Sequence, residues 1–330
     1  MSSEEEINDL PGVGPATAEK LINAGYQTLE KIAVSSPEDL AVDTEIGVPT
    51  AKKIVANAKL GANIGGFTSG KAILEKRKEV IKIPIHVEEI DEMLGGGFET
   101  QSISEIYGKF GSGKTQVVHQ MVVNTVLPEE YGGQGCSVLY IDTERTFRPE
   151  RFKEMITGSK HIHGYEFDED ELADQLLDNI HVAQAFNSSH QMLLIEKLGT
   201  ICEELKTAGK PVRLIVVDSL AAHFRSEFIG RGKLNERQQK LNKMMHDLSE
   251  CAMLYNAVAL VTNQVQDNPG QLFGDPIKPI GGNVVGHTSA FRIYIRKSKG
   301  DKRVLKLVDS PNLPDSEAIA AITMDGVVDD

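Results

Sequence analysis

Apolar residues recur every three or four positions from about Leu10 to Leu60, and prolines and glycines break the run at short intervals. That spacing predicts a small all-helical unit. The pattern lapses over residues 61–70, which hold too much glycine for a helix and read as a linker with one aromatic, Phe67. A charged segment of helical spacing, Ala72 to Lys78, follows. Beyond it the period changes. Short apolar runs at Ser102–Tyr107, Ser137–Asp142, Ile180–Ala183, Val212–Asp218 and Ala257–Asn263 are separated by helix-length segments. This alternation predicts a mainly parallel sheet covered by helices. Near the end, Phe291–Lys297, Arg303–Asp309 and Ala318–Met324 read as strands joined by short turns, an antiparallel extension. The expected organisation is a helical unit over 1–60, a linker over 61–78 and an α/β domain over 79–330.

The length of 330 residues suits about two domains, one with a sizeable core. No run of about 18 apolar residues occurs, and the start, Met1-Ser2-Ser3-Glu4-Glu5-Glu6, is acidic where a secretory signal would be basic and then apolar. Neither a membrane partner nor export is expected, so the chain is placed in the cytoplasm. Cys136, Cys202 and Cys251 are odd in number and distant in sequence, which suggests small core residues rather than a disulfide or zinc framework. A formal net charge of −13 excludes a protein that coats nucleic acid with its whole surface. Any such site must be local.

The clearest chemistry is the run Gly108-Lys109-Phe110-Gly111-Ser112-Gly113-Lys114-Thr115, set between an expected strand and the helical pattern from Gln116 to Val123. It is a complete phosphate-binding loop. Its glycines let backbone amides turn onto phosphates, the helix start adds positive potential, Lys114 adds a charge, and Thr115 supplies a hydroxyl for Mg²⁺. Phosphoryl transfer also needs a metal ligand and a group that positions water. Asp218 ends the apolar strand Leu214–Val217 and suits the first role beside Thr115. Glu144, just past the strand ending at Asp142, suits the second. The lesser alternative is that either acid merely caps the helix that follows, a reading that weighs more for Glu144 than for Asp218. Gln264 ends a third strand and offers a neutral amide to a γ-phosphate.

Three further features are open to two readings. The turn Leu10-Pro11-Gly12-Val13-Gly14, with a looser copy at Ile46-Gly47-Val48, either holds a DNA phosphate on its amides or simply joins two helices. The polar stretch Phe224–Arg237 gathers Arg225, Arg231 and Arg237 around glycines and is expected to be a loop; Glu227 and Glu236 lie near enough to pair with them. Val265–Gly286, with Gly281 and Gly282 near its end, is a long loop of the kind that in compact domains is either functional or disordered.

Together these features resemble the archaeal recombinases of the RecA-like strand-exchange family. The likeness is carried in order by the hairpin unit, Ile90-Asp91-Glu92-Met93-Leu94-Gly95-Gly96-Gly97, the phosphate loop, Thr146-Phe147-Arg148-Pro149-Glu150-Arg151, Gly230-Arg231-Gly232-Lys233-Leu234, Val261-Thr262-Asn263-Gln264-Val265 and Asp309-Ser310-Pro311-Asn312-Leu313-Pro314-Asp315. The resemblance implies a RecA-like core with a helix-hairpin-helix domain, working as a DNA-dependent ATPase that forms filaments or rings on single-stranded DNA and pairs it with a duplex. It implies that Glu144 positions the hydrolytic water, Arg151 packs on adenine and Gln264 senses the γ-phosphate of ATP. Arg225, Arg231 and Arg237 would belong to a first DNA-binding loop, and 265–286 to a second. His287, Pro314 and the rest of 309–315 would reach the nucleotide of a neighbouring copy, and Phe67 would insert into an adjacent core. Asp309 and Asp315 beside a triphosphate imply an intervening cation, Mg²⁺ or a monovalent ion such as K⁺. A nucleoid-associated place in an archaeal cytoplasm follows from the same resemblance. The rival is a RecA-like mediator that binds ATP without exchanging strands; a hexameric helicase is more distant.

Two positions depart from the family pattern. Arg145 stands where a small or neutral polar residue is usual, and would either assist charge neutralisation or tie up Glu144. Gly70 replaces a common alanine four residues into the Phe67 segment.

Overall fold

The computed structural model describes residues 3–62, 67–159, 169–267 and 277–330. These fall into two compact units, Met1–Arg77 and Lys78–Asp330. The first contains α1 (Ser3–Asn8), α2 (Pro15–Asn23), α3 (Leu29–Val34), α4 (Pro37–Asp43) and α5 (Val48–Gly61). Their starts follow local chemistry. Thr28 caps α3 by accepting from the Lys31 amide at 3.2 Å, Ser36 caps α4, and prolines occupy the first turns of α2, α4 and α5. Ala51, Ile54, Val55 and Ala58 make one buried stripe on α5 against Leu21, Ile32 and Leu40. Gly14 and Gly47 precede α2 and α5 at the two glycine turns, and Gly12 adopts φ 93°, a conformation only glycine takes freely. A further helix, α6 (Gly70–Lys76), is capped by Ser69 and buries none of its residues.

The second unit opens with β1 (Lys82–Ile83), α7 (Glu88–Met93) and β2 (Phe98–Glu99). Then come β3 (Ser102–Gly108), α8 (Lys114–Val126), β4 (Ser137–Asp142), α9 (Pro149–Thr157), α10 (Glu169–Leu177) and β5 (Ile180–Gln184). They are followed by α11 (Ser188–Glu196), α12 (Leu198–Thr207), β6 (Val212–Asp218), α13 (Ala222–Glu227), α14 (Leu234–Leu254) and β7 (Val258–Asp267). The chain ends with β8 (Ile277–Pro279), α15 (Gly282–Thr288), β9 (Phe291–Lys297), β10 (Lys302–Asp309), β11 (Ser316–Thr323) and β12 (Gly326–Val328). The main sheet runs β12-β11-β10-β9-β3-β7-β6-β4-β5, with β8 paired to β7.

Both faces of the sheet are covered, which explains the near-continuous apolar strands. Val138, Tyr140, Leu214, Val216, Val258 and Leu260 face the core of α8 and α9, while Leu139, Ile141, Ile215, Val217, Ala259 and Val261 face that of α12 and α14. The cysteines are buried small residues as expected, and Cys202 and Cys251 meet with sulfurs 3.9 Å apart. Hydrogen bonding to Cys251, and then burial, raises the Cys202 thiol pKa.

The antiparallel extension is as expected: β9, β10 and β11 pair antiparallel in order, and β9 joins them to the parallel sheet by pairing with β3. Two expectations change. Phe224–Arg237 is not a simple loop: its ends are the last turns of α13 and the first of α14, joined through a tight turn at Arg231–Lys233. Likewise 265–286 carries strand and helix at its ends, β7 reaching Asp267 and α15 starting at Gly282; its middle lies outside the described residues. No helix among the described residues is long and apolar enough to cross a membrane.

Candidate nucleotide and nucleic-acid sites

The carboxyl ends of β3, β4, β6 and β7 share one edge, where an open parallel sheet presents ligands. The phosphate loop leaves β3 there. A Cβ on Gly108 would lie 2.3 Å from the Ile295 carbonyl oxygen, and one on Gly113, at φ 108°, would lie 2.5 Å from Ile322 Cδ1. Only glycine fits at these two positions. Above the loop opens a cleft of about 280 Å³ that includes Lys114, Thr115, Glu144, Asp218 and Gln264. Lys114 Nζ donates to the carbonyls of Gly108 and Lys109 at 3.0 and 3.1 Å. Burial lowers its pKa, opposed by the charges of Asp218 and Glu144. A polyphosphate placed here would supply better acceptors than those carbonyls, so the loop fits that ligand.

Asp218 is buried and accepts hydrogen bonds from Thr115 Oγ1 at 2.9 Å, from the Tyr140 hydroxyl at 3.0 Å and from Thr262 Oγ1. Burial raises its pKa, while the three donors pull it down. Thr115 and Asp218 thus stand together as two hard oxygen donors. Among the described residues no cluster of three or more His, Cys, Asp or Glu is arranged to hold a metal. Two protein oxygens suit Mg²⁺, which keeps most of its water and shares substrate phosphates.

The capping role falls to Asp142, which accepts the amides of Glu144, Thr146 and Phe147 at 3.0, 3.3 and 3.0 Å. Glu144 is left to the cleft. Its Oε1 accepts from Ser219 Oγ at 2.7 Å and from Gln264 Nε2 at 2.9 Å. Arg145 adopts φ 59° and lies over the Phe186 ring at 5.8 Å, and that ring stacks on His190. Arg151 donates from Nε to Gln116 at 2.9 Å and from Nη2 to the Thr323 carbonyl at 2.8 Å, and pairs with Glu154.

Gln264 faces both ways, since its Oε1 accepts from Arg225 Nη1 at 3.4 Å. The acids expected to compete for the arginines have other partners. Glu227 accepts from the Ser188 amide at 2.8 Å and from the Ser188 hydroxyl, while Glu236 pairs with Lys233 and Lys240 at 3.3 and 3.2 Å. Arg237 is half-buried on α14. Gly281, at φ 95°, caps α15, and His287 is exposed in that helix's last turn. Asp309, Pro314 and Asp315 are exposed on a turn closed by Ser310 Oγ and the Leu313 amide at 2.7 Å, outside their own chain's cleft. Phe67 is fully exposed at 109 %.

Arg303 and Ile322 also line the cleft and belong to no motif. They arrive from β10 and β11, and nothing local to them signals a nucleotide. Ser219 was findable, being a hydroxyl directly after a strand-end acid.

The Rad51 family model matches residues 76–330, and a SAM-like tandem helix-hairpin-helix model matches 4–59. The "DNA repair and recombination protein RadA" of Methanoculleus marisnigri is 55% identical over 98% of this chain and 99% of its own. Proteins of that name from Methanocorpusculum labreanum and Haloquadratum walsbyi are 54% and 51% identical, covering 98% and 97% of this chain and the same shares of their own. With a cleft, a sheet and a hairpin unit of the kind the family requires, the chain belongs to the Rad51 family of RecA-like recombination proteins, in its RadA group.

Proposed function

We propose that this chain is a DNA-dependent ATPase and recombinase, which assembles with ATP on single-stranded DNA, pairs it with a homologous duplex and exchanges strands. The observation that carries this reading is one chain of hydrogen bonds, Ser219–Glu144–Gln264–Arg225, running from the hydrolytic carboxylate to an arginine of the first basic segment. A nucleotide-binding mediator has no need of that link.

In this reading the amides of 108–115 and Lys114 hold the triphosphate of ATP. Thr115 and Asp218 would hold Mg²⁺, which would supply charge neutralisation as the γ-phosphoryl group passes to water and ADP departs. Two donors on Glu144 Oε1 fix the rotation of the carboxylate and leave its other oxygen to orient the attacking water. Arg151 packs on the adenine. His287, Pro314, Asp309 and Asp315 serve a neighbour's nucleotide, and the two aspartates would hold K⁺ or a second cation that would offset their charge against the phosphates. Phe67 joins the copies. Arg225, Arg231, Arg237 and the 265–286 segment with Gly281 and Gly282 grip the strand. The amides at Gly12 and Gly14 hold DNA phosphates in a helix-hairpin-helix domain over 1–60, tethered by 61–78 to the core over 79–330. Base pairing supplies the sequence recognition, so backbone contacts suffice.

Joint-molecule formation between homologous DNAs in the presence of ATP tests the reading. A recombinase forms joints, a mediator does not, and a helicase separates a preformed duplex instead.

A further inference from the structure

Below the sensor glutamine lies a buried carboxylate that the chemistry above does not use. Glu105, on β3, is fully buried, and each of its oxygens is held by a different strand. Oε1 accepts from Asn263 Nδ2 on β7 at 2.8 Å, and Oε2 accepts from Arg292 Nε on β9 at 2.9 Å. Arg292 is the register partner of Glu105 across the parallel pair. Asn263 directly precedes Gln264 and also donates to the Ile280 carbonyl at 2.6 Å, while the Ile280 amide donates to the Gln264 carbonyl at 3.0 Å. On the other side a Cβ at Gly286 would lie 3.2 Å from the Arg292 guanidinium, so the backbone of α15 rests against that side chain.

We propose that Glu105, through Asn263 and Arg292, is a positioning hub that ties the strand carrying Gln264 to the return limb of the 265–286 segment and to α15. The inference rests on the reading of that segment as a DNA contact. Stability alone does not call for such an arrangement, because apolar groups of similar volume often replace an ion pair around a buried carboxylate without loss. Position does. A fully buried carboxylate with one donor on each side transmits a shift of β7 to β9 and α15, since a lengthened bond would leave a buried charge poorly paired. A change at Gln264 on nucleotide binding thereby reaches both ends of 277–288, and a change there on DNA binding returns to Gln264.

The test measures ATP turnover with and without a single-stranded thymidine homopolymer, together with the thermal midpoint, in Glu105→Gln and in the double variant Glu105→Leu with Arg292→Met. Glu105→Gln keeps the shape of the side chain and loses its charge; the double variant removes the buried carboxylate together with its part-exposed cation, so that neither charge is left unpaired, and is expected to stay folded even if the single change destabilises the core. Both variants are expected to keep DNA-free turnover and the KM for ATP and to lose about tenfold of the DNA stimulation. A double variant with restored thermal stability and lost stimulation supports the hub. Stimulation that returns with stability would assign the network a structural role only and overturn the inference. No stimulation in the unmodified protein would remove the functional reading and the hub with it, whereas stimulation that survives in both variants removes the hub alone.

Discussion

The phosphate-loop cleft and the arginine segment after β6 stand at the same edge of one sheet and are held in opposite ways. In the cleft almost every polar group has a partner: Asp218 has three donors, Glu144 two, and Lys114 two carbonyls. In the segment, Arg225 has one long bond to Gln264, and the neighbouring acids Glu227 and Glu236 are engaged elsewhere. The difference is what the proposed ligands would require. A site that must place one water and one phosphate needs its groups fixed beforehand, whereas a surface that grips an irregular polyanion needs uncommitted charge. Gln264 belongs to both regions.

Substitutions in the cleft should have the largest effects. Lys114→Ala is expected to abolish productive ATP use, and Glu144→Gln to retain ATP binding while slowing hydrolysis by about 100-fold or more, measured as single-turnover hydrolysis against nucleotide affinity. Full turnover in Glu144→Gln would take the water-positioning role away from that carboxylate.

Behind the cleft, rigidity has a pH signature. His119 on α8 is buried against Phe152 with ring centroids 4.4 Å apart. Burial, aided by the charge of Arg151, lowers its pKa from 6.5 to about 4. The unfolded chain takes up a proton near pH 6.5 that the folded protein refuses until about pH 4. Stability should therefore be intact above that window, fall by about 3 kcal/mol across it and lose no more below it. Denaturant titrations of His119→Leu and the unmodified protein should diverge in slope only there; parallel curves would place His119 in a wetter setting.

The exposed elements should affect assembly and binding instead. Phe67→Ala is expected to weaken subunit association by about 2 kcal/mol, seen as smaller particles in light scattering at unchanged thermal midpoint. A lowered midpoint with unchanged assembly would place Phe67 within its own chain. Smallest of all, Arg225→Ala, Arg231→Ala and Arg237→Ala should each lower the salt slope of single-strand binding by about 0.7 without altering base preference. Arg237 tests this most severely, because it is half-buried on α14. A single variant that changes base preference would mark a base contact.

The two regions were not equally legible. The phosphate loop lies within eight consecutive residues, so its chemistry is visible wherever the chain folds. The sheet was visible too, because strands buried on both faces are continuously apolar. The second partner of β9 was hidden, since a short apolar run does not say that the extension joins the parallel sheet through β3. The helical ends of 224–237 were also masked, because charge dominates there and the apolar stripe of α14, Leu241, Met244, Met245 and Leu248, begins further on. Within the site, Ser219 and Gln264 reach Glu144 across 75 and 120 residues, and only the pairing of β4, β6, β7 and β3 brings them together. Arg145 shows the same limit. The charge was evident from the sequence, but the Phe186 ring that holds it lies at the end of another strand.

The central claim is that Gln264 joins the two regions, and DNA-stimulated ATP hydrolysis by Gln264→Ala tests it most directly. The variant is predicted to bind ATP and single-stranded DNA separately, each with nearly unchanged affinity, and to show no stimulation of hydrolysis by DNA. Stimulation equal to that of the unmodified protein would contradict it, and would mean that the cleft and the arginines communicate by another route or not at all.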